Sequence, residues 1–443
     1  MSQASRPRIS VVGTGYLGAV HSACLANSGF EVVGVDVDDA KVTQLRAGQP
    51  PFYEPGLDQV LVSALDSGRL RFTTDLADAA SFADIHFICV GTPQSTNSPA
   101  ADVSFVDSAI DTLVPHLTRD ALIVGKSTVP VGTAARLQQR CAQLAPAGIT
   151  VELAWNPEFL REGFAVADTQ RPDRIVVGTD SDDADALLRE VYAAQIADGV
   201  AYLRMDLATA ELVKVAANSF LATKISFINA MAEVCERAGA DVTALANALG
   251  YDERIGSKFL RAGLGFGGGC LPKDIRAFMA RAGELGVDDA LSFLKEIDDI
   301  NLRQRSRTTN AAVTMLGGNV NDKVVAALGA AFKPGSDDVR DSPALDVAAN
   351  LHLQGANVRV YDPKAMNNAA ELFPTLDFVE SAAVACEDAD IVLLLTEWQE
   401  FVSLDPHDLA TRTAGRRILD ARNVLDPNAW RDAGWIYQGI GRQ

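Results

Sequence analysis

The sequence predicts an α/β protein in which two doubly wound, parallel-sheet domains are joined by a long central helix and a small helical region. Three observations carry this. Short β-branched runs alternate with helical patterns from Arg8 to Gly178. The period then changes, and Leu207 to about Ala238 reads as one long helix with few breakers. From Lys323 the opening plan returns. The expected division is therefore 1–205, 206–317 and 318–443.

Taken in order, Arg8 to Val12 is a strand that runs into Gly13-Thr14-Gly15-Tyr16-Leu17-Gly18, and a helical pattern follows to about Ser28. A second strand, Glu31 to Val35, stops at Asp36. A GxGxxG that follows a strand, opens a helix and precedes an acidic strand end is the fingerprint of a Rossmann-like dinucleotide site. The glycines let a pyrophosphate approach the helix N-terminus. Asp36 accepts from the adenosine ribose and repels a 2′-phosphate, so NAD is expected rather than NADP. Lys41 joins these residues in the candidate cofactor set.

Further strands are expected at Ala83–Val90, Ala121–Lys126, Val151–Trp155 and Arg174–Gly178. The first two stop at Thr92 and Thr128, beyond the carboxyl ends of strands, where open parallel sheets bind ligands. A turn or N-cap role is open for both threonines. After Trp155 comes Asn156-Pro157-Glu158-Phe159-Leu160-Arg161-Glu162-Gly163, whose two carboxylates could share a helical face. Lys214 and Asn218 lie four apart on one face of the long helix, and such donors suit a developing oxyanion. A further helix pair is expected after the long helix, then a basic segment and a Gly-rich loop, and helical pattern resumes to about Gly317. The closing domain has strands Lys323–Leu328, Asn357–Tyr361 and Asp390–Leu395, but its first turn holds Lys333 and lacks the dinucleotide fingerprint. With Lys333, Arg340 and Arg422 it is expected to hold a different phosphorylated ligand.

The chain has 443 residues, 48% hydrophobic and 22% charged, with a formal net charge of −19. That charge argues against nucleic acid or an anionic membrane surface as partner. An anionic ligand needs a local exception, and Tyr251 to Arg276 supplies one, with five Lys/Arg against three Asp/Glu. Six cysteines show no CxxC and no zinc spacing, so neither a metal site nor disulfides are expected, and the compartment reads as the reducing cytoplasm. MSQASRPR leads straight into a strand, so no signal peptide is expected, and no apolar run suits a membrane span.

The chemistry points to Gly263–Asp274, GLGFGGGCLPKD, with five glycines in the seven positions before Cys270. Glycine-rich chain lets backbone N–H groups approach an anion closely. Lys273 favours the Cys270 thiolate, and Asp274 can move a proton or orient the lysine. An NAD lobe, a second nucleotide lobe and a thiol together suit oxidation of an aldehyde to an acid. A thiolate adds to the aldehyde, the thiohemiacetal loses a hydride to NAD, and the thioester is hydrolysed. Lys214 and Asn218 are the oxyanion donors; Glu158, Glu162 and Asp274 are the candidate bases.

GTGYLG, VGTP, KSTVPVGT, NPEFLREG, the Lys214/Asn218 helix, GFGGGCLPKD, AFKPGSDDVRDSP and LDARNV resemble, in this order and over nearly the whole chain, the UDP-glucose 6-dehydrogenase family. The resemblance implies a four-electron oxidation of a UDP-sugar alcohol with NAD, through an enzyme-bound thioester. It implies Cys270 as nucleophile and Lys214 and Asn218 as the oxyanion pair, with Lys214 also a possible base. Asp274 and Thr128 would lie around the catalytic water, with Glu158 activating it. NAD contacts would include Thr92, Glu162, Lys273 and Arg340. Glu158, Phe159, Leu160, Glu162, Lys214, Asn218, Phe266, Gly267, Gly268, Gly269, Lys333 and Arg422 would meet the UDP-sugar. Arg254 would reach a neighbouring subunit's substrate, which implies a homodimer. Related dehydrogenases act on GDP-mannose and UDP-N-acetylmannosamine. Arg171-Pro172-Asp173-Arg174 looks like the UDP-glucose branch, whereas Leu271 also occurs in the GDP-mannose branch.

Overall fold

The structure is a computed structural model that describes residues 6–442. These form two compact units: residues up to Ala217 with Arg276–Arg281, and Asn218–Ile275 with the chain from Ala282 onward.

The first unit holds an eight-stranded sheet. Its strands are β1 Ile9–Val12, β2 Val32–Val35, β3 Leu70–Thr73, β4 Ile85–Ile88, β5 Ala121–Gly125, β6 Val151–Trp155, β7 Arg174–Gly178 and β8 Ala201–Met205, in the order β3-β2-β1-β4-β5-β6-β7-β8. Neighbours pair parallel except β6 and β7, which meet antiparallel through Trp155 and Gly178. That one bridge is the exception in a sheet otherwise parallel as expected. Central strands bury both faces, as helix-covered parallel sheets do. Ile9, Val11, Phe87 and Val124 pack with Ala19, Val20 and Ala23 on one side. Val12, Ile88, Ile123 and Trp155 pack with Ile110, Leu113 and Leu137 on the other. Each such large side chain contributes roughly 1.5–3 kcal/mol on burial.

The second unit repeats the plan with six parallel strands, β9 Val324–Leu328, β10 Asn357–Tyr361, β11 Asp377–Phe378, β12 Ile391–Leu394, β13 Arg417–Asp420 and β14 Ile436–Gly439. Their order is β11-β10-β9-β12-β13-β14. At the end of β10, Asp362 accepts from the backbone N–H groups of Ala330 and Ala331 and from the Trp398 indole. The carboxylate that tops the second strand of this unit is thus absorbed by the fold.

The long helix is a single element, Leu207–Ala238. The expected helix pair beyond it is corrected to one helix, Val242–Gly250. From Tyr251 the chain is irregular up to the helix Leu271–Glu284. Gly256 at φ 69° and Phe259 at φ 64° are left-handed, which no α-helix accommodates. Phe293–Met315 then forms the helix that was expected to end near Gly317. Among the described residues, no helix is long and apolar enough to cross a membrane.

Candidate active site

In the first unit the dinucleotide fingerprint has the expected geometry. Gly13 sits at φ 89°, and a Cβ there would lie 2.8 Å from the Val90 nitrogen. Gly18 packs against Gly13, where a Cβ would meet its carbonyl oxygen at 1.8 Å. Helix Tyr16–Asn27 has Gly15 as N-cap and no side-chain cap. A Cβ on Gly15 would find nothing within 4 Å. Uncapped helix donors facing open space fit a pyrophosphate. Asp36 accepts from Thr14 N and Oγ1, from Asp38 N, and from the Lys41 ammonium at 3.0 Å. Burial works to raise this carboxyl, but Lys41 and the backbone donors outweigh it, and its pKa lies below the ordinary value. Leu17 packs at the edge of the hydrophobic core of this unit. The residues present fit NAD.

Asn156–Gly163 is not helical, so Glu158 and Glu162 share no helical face. Glu158 turns back on its own chain, its Oε1 accepting from Phe159 N at 2.6 Å and Leu160 N at 2.7 Å. Its Oε2 lies 3.2 Å from the ammonium of Lys126, a buried residue whose part in the site has no local sequence signal. Burial acts to lower the Lys126 pKa, and the neighbouring Tyr192 and Glu158 more than reverse it. Lys126 also donates to Asn156 Oδ1 at 3.0 Å. The same segment is anchored by buried Glu54, which accepts from Tyr16 Oη, Gly163 N and Ala165 N. Thr92 Oγ1 donates to the Thr128 carbonyl at 2.7 Å, so the two threonine-bearing turns are tied together. Buried Glu211 accepts from Gly132 N and Ala134 N at 2.7 Å each, and so fixes the loop after Thr128. Lys214 lies 5.5 Å from the Phe159 ring, within cation–π range. Arg174 covers that ring at 3.9 Å.

In the second unit Cys270 is exposed, while the other five cysteines are buried. Burial pushes the thiols of Cys24, Cys89, Cys141 and Cys386 up to about 12, which leaves them as packing groups. Beside Cys270, Asp274 is buried and accepts from Asn218 Nδ2 at 2.6 Å. The Lys273 ammonium lies 2.8 Å from the other Asp274 oxygen. Helix Leu271–Glu284 begins at once, with Asp274 N donating to the Cys270 carbonyl.

The Gly-rich loop is buried and fastened along its length. Gly263 N donates to Asn229 Oδ1, and Leu264 N to the Ala421 carbonyl. Asn301 engages both sides of Phe266: its Oδ1 accepts from Phe266 N at 2.7 Å and its Nδ2 donates to Phe266 O at 3.0 Å. Gly268 N donates to the Arg340 carbonyl. A Cβ on Gly267 would lie 2.2 Å from Asp341 O, and one on Gly269 would lie 2.4 Å from the Arg340 guanidinium carbon. The glycines are needed for this close approach. Arg422 sends its donors to the carbonyls of Leu395, Phe332 and Gly265 and pairs with Glu397 at 3.4 Å. Burial lowers its pKa. Lys333 stands 5.3 Å from the Phe332 ring. Arg340 pairs with Asp338, and exposed Arg254 with Asp252.

A dinucleotide cradle on one α/β unit and an exposed thiol on a second define an NAD-dependent oxidoreductase. Residues 7–196 match the NAD binding domain of the UDP-glucose/GDP-mannose dehydrogenase family, residues 208–303 its central domain and residues 326–427 its UDP binding domain. The chain belongs to that family. It is 40% identical to the UDP-glucose 6-dehydrogenase of Rhizobium meliloti, over 98% of this chain and 99% of that protein. The solved UDP-glucose dehydrogenase of Pyrobaculum islandicum superimposes with a TM-score of 0.92 at 37% identity, covering 100% of this chain and 99% of the other. The UDP-D-ManNAc dehydrogenase structure from Pyrococcus horikoshii gives 0.86 at 27% identity, covering 98% and 99%.

Proposed function

We propose that this protein oxidises the C6 alcohol of UDP-glucose to the carboxylate of UDP-glucuronate, with Cys270 as covalent nucleophile. The observation that carries the chemistry is the exposed Cys270 thiol at the end of a fastened loop, beside the Asn218–Asp274–Lys273 chain. The choice of sugar nucleotide is supported by 40% identity to a UDP-glucose enzyme against 27% to a UDP-D-ManNAc enzyme.

When bound, NAD supplies the hydride acceptor for both oxidations. Lys214 takes the hydroxyl proton in the first oxidation, and with Asn218 it donates to the substrate oxygen when that oxygen gains charge in the later steps. The Cys270 sulfur adds to the aldehyde carbon, and after the second oxidation it is held there as a thioester. Water then adds to the thioester carbon, the C–S bond breaks, and the thiol and the acid are released. Asp274 receives the proton from that water, with Lys273 and Asn218 holding its carboxylate in place. Glu158, already met by three donors, and Thr128 complete the set of groups assigned to that water. Lys333 and Arg422 belong to the UDP-sugar site; Thr92, Glu162, Lys273 and Arg340 belong to the NAD site.

The working form is a homodimer. Phe220, Phe227 and Val234 recur every seven residues on the long helix, at 67%, 46% and 57% exposure. An apolar row of that period is the seam by which helices pair, and a second copy of this chain is the occupant. Arg254 would then act across the pair. Six cysteines without a disulfide suit a reducing cytoplasm.

The test is NADH formation across UDP-glucose, GDP-mannose and UDP-N-acetylmannosamine. Turnover of UDP-glucose well above the other two is expected. Preference for either of the others would overturn the substrate assignment and leave the chemistry standing.

A further inference from the structure

A loop so rich in glycine is costly to order, because glycine loses the most backbone freedom on folding. Leu264 and Phe266 bury their side chains, but the glycines around them must be held by groups from elsewhere in the fold. Beside Asn229 and the carbonyls of Ala421 and Arg340, the groups that hold the loop's centre come from the helix Phe293–Met315. Asn301 is fully buried and makes a two-bond clamp on the Phe266 peptide groups. Gly265, at φ 104°, admits it, since a Cβ there would stand 2.6 Å from Asn301 Oδ1. One helical turn later, buried Arg305 donates to Phe266 O at 3.3 Å and pairs with Asp341 at 2.7 Å. The Asp341 carbonyl is the atom against which Gly267 packs. From Gly267 to Gly269, the residue before Cys270, the chain is therefore pressed onto Arg340 and Asp341, a segment that the same helix ties down.

We propose that Asn301 and Arg305 are positioning residues that preset the Gly-rich loop, and with it the Cys270 thiol, before any sugar nucleotide binds. The inference rests on the thioester chemistry proposed for Cys270. A displaced thiol would still allow the first oxidation, of alcohol to aldehyde, with one NAD reduced. It would capture the aldehyde carbon poorly, so aldehyde would escape in place of forming the C–S bond.

Two measurements test this. In the wild-type chain without ligand, the backbone amides of 264–268 are expected to exchange slowly with deuterated solvent, and UDP-glucose should leave them unchanged. Fast exchange that slows only on adding UDP-glucose would overturn the preset loop. In Asn301→Leu, acid formation should fall at least about tenfold while NADH per acid rises above two. The missing aldehyde should be recovered as its oxime with hydroxylamine. NAD affinity should be unchanged. An unchanged rate, or an equal loss of NADH and acid at a ratio of two, would overturn the role. Should Asn301→Leu not fold, Arg305→Lys, which keeps a cation for Asp341 and gives up the contact to Phe266, is read the same way with a smaller leak. Wild-type protein that itself makes no acid would instead contradict the function, so the two failures are distinguishable.

Discussion

Asn218 and Asp274 meet at 2.6 Å, both buried, one on the long helix and one on the first turn after Cys270. With Lys273 on the other Asp274 oxygen, the carboxylate is fixed between an amide and an ammonium. Asp274→Asn keeps the shape and removes the charge. It should lower kcat by ~10²–10⁴-fold, the span of a lost general acid–base group. It should also cost about 1–3 kcal/mol of stability, because Lys273 loses its counter-charge in a buried setting. Steady-state rates and urea midpoints check the two effects separately; a variant with full activity would remove Asp274 from the reaction.

Gly15→Ala separates cofactor binding from folding. The residue has φ −65°, which alanine adopts freely, and its Cβ would touch nothing in the protein. Stability should stay within about 0.5 kcal/mol, as for an ordinary surface change. NAD affinity should fall at least about tenfold, or ~1.4 kcal/mol, because the methyl takes the space offered to the pyrophosphate. Calorimetric titration with NAD decides; unaltered affinity would mean that the cofactor lies elsewhere.

Acid should loosen the first unit. His86 on β4 is fully buried, pairs with Ser10 Oγ at 2.7 Å, and has its pKa pushed down by burial to about 4. Burial lowers the pKa of His21 too. The folded chain therefore binds fewer protons than the unfolded chain between about pH 6.5 and 4, and stability is lost as pH falls through that window. From pH 7 to 5 the loss from His86 is on the order of 2 kcal/mol. His86→Gln should flatten the urea midpoint over this range by that amount, whereas an equal slope in both proteins would contradict it.

How much of this was legible in the sequence depends on distance along the chain. The GxGxxG turn and the cysteine loop declare themselves within a dozen residues, because local spacing alone dictates their geometry. Asn301 is 35 residues from the Phe266 it holds, in a stretch, DINLRQRS, that reads as a solvated polar face. Lys126 and Glu54 carry no local signal for the same reason, since their partners Glu158 and Gly163 are neighbours only once the sheet forms. Glu158 and Glu162 at helical spacing misled, because the Glu158 carboxylate takes up the amides that a helix would use. Edge strands such as β3 and β8 escaped notice because their mixed burial leaves no buried run to recognise.

Association should depend on the row at Phe220, Phe227 and Val234. Phe227→Arg places a charge in the middle of it and should halve the mass seen by light scattering at micromolar concentration. Activity should fall with it, because Arg254 would no longer reach a neighbouring site. A monomeric wild-type protein, or a dimer indifferent to this change, would contradict the assignment.

The most direct measurement counts NADH formed per molecule of UDP-glucuronate. Two per product, with turnover abolished in Cys270→Ser, is the result expected of a thiol that carries the sugar through both oxidations. One per product, or full activity without the sulfur, would contradict it.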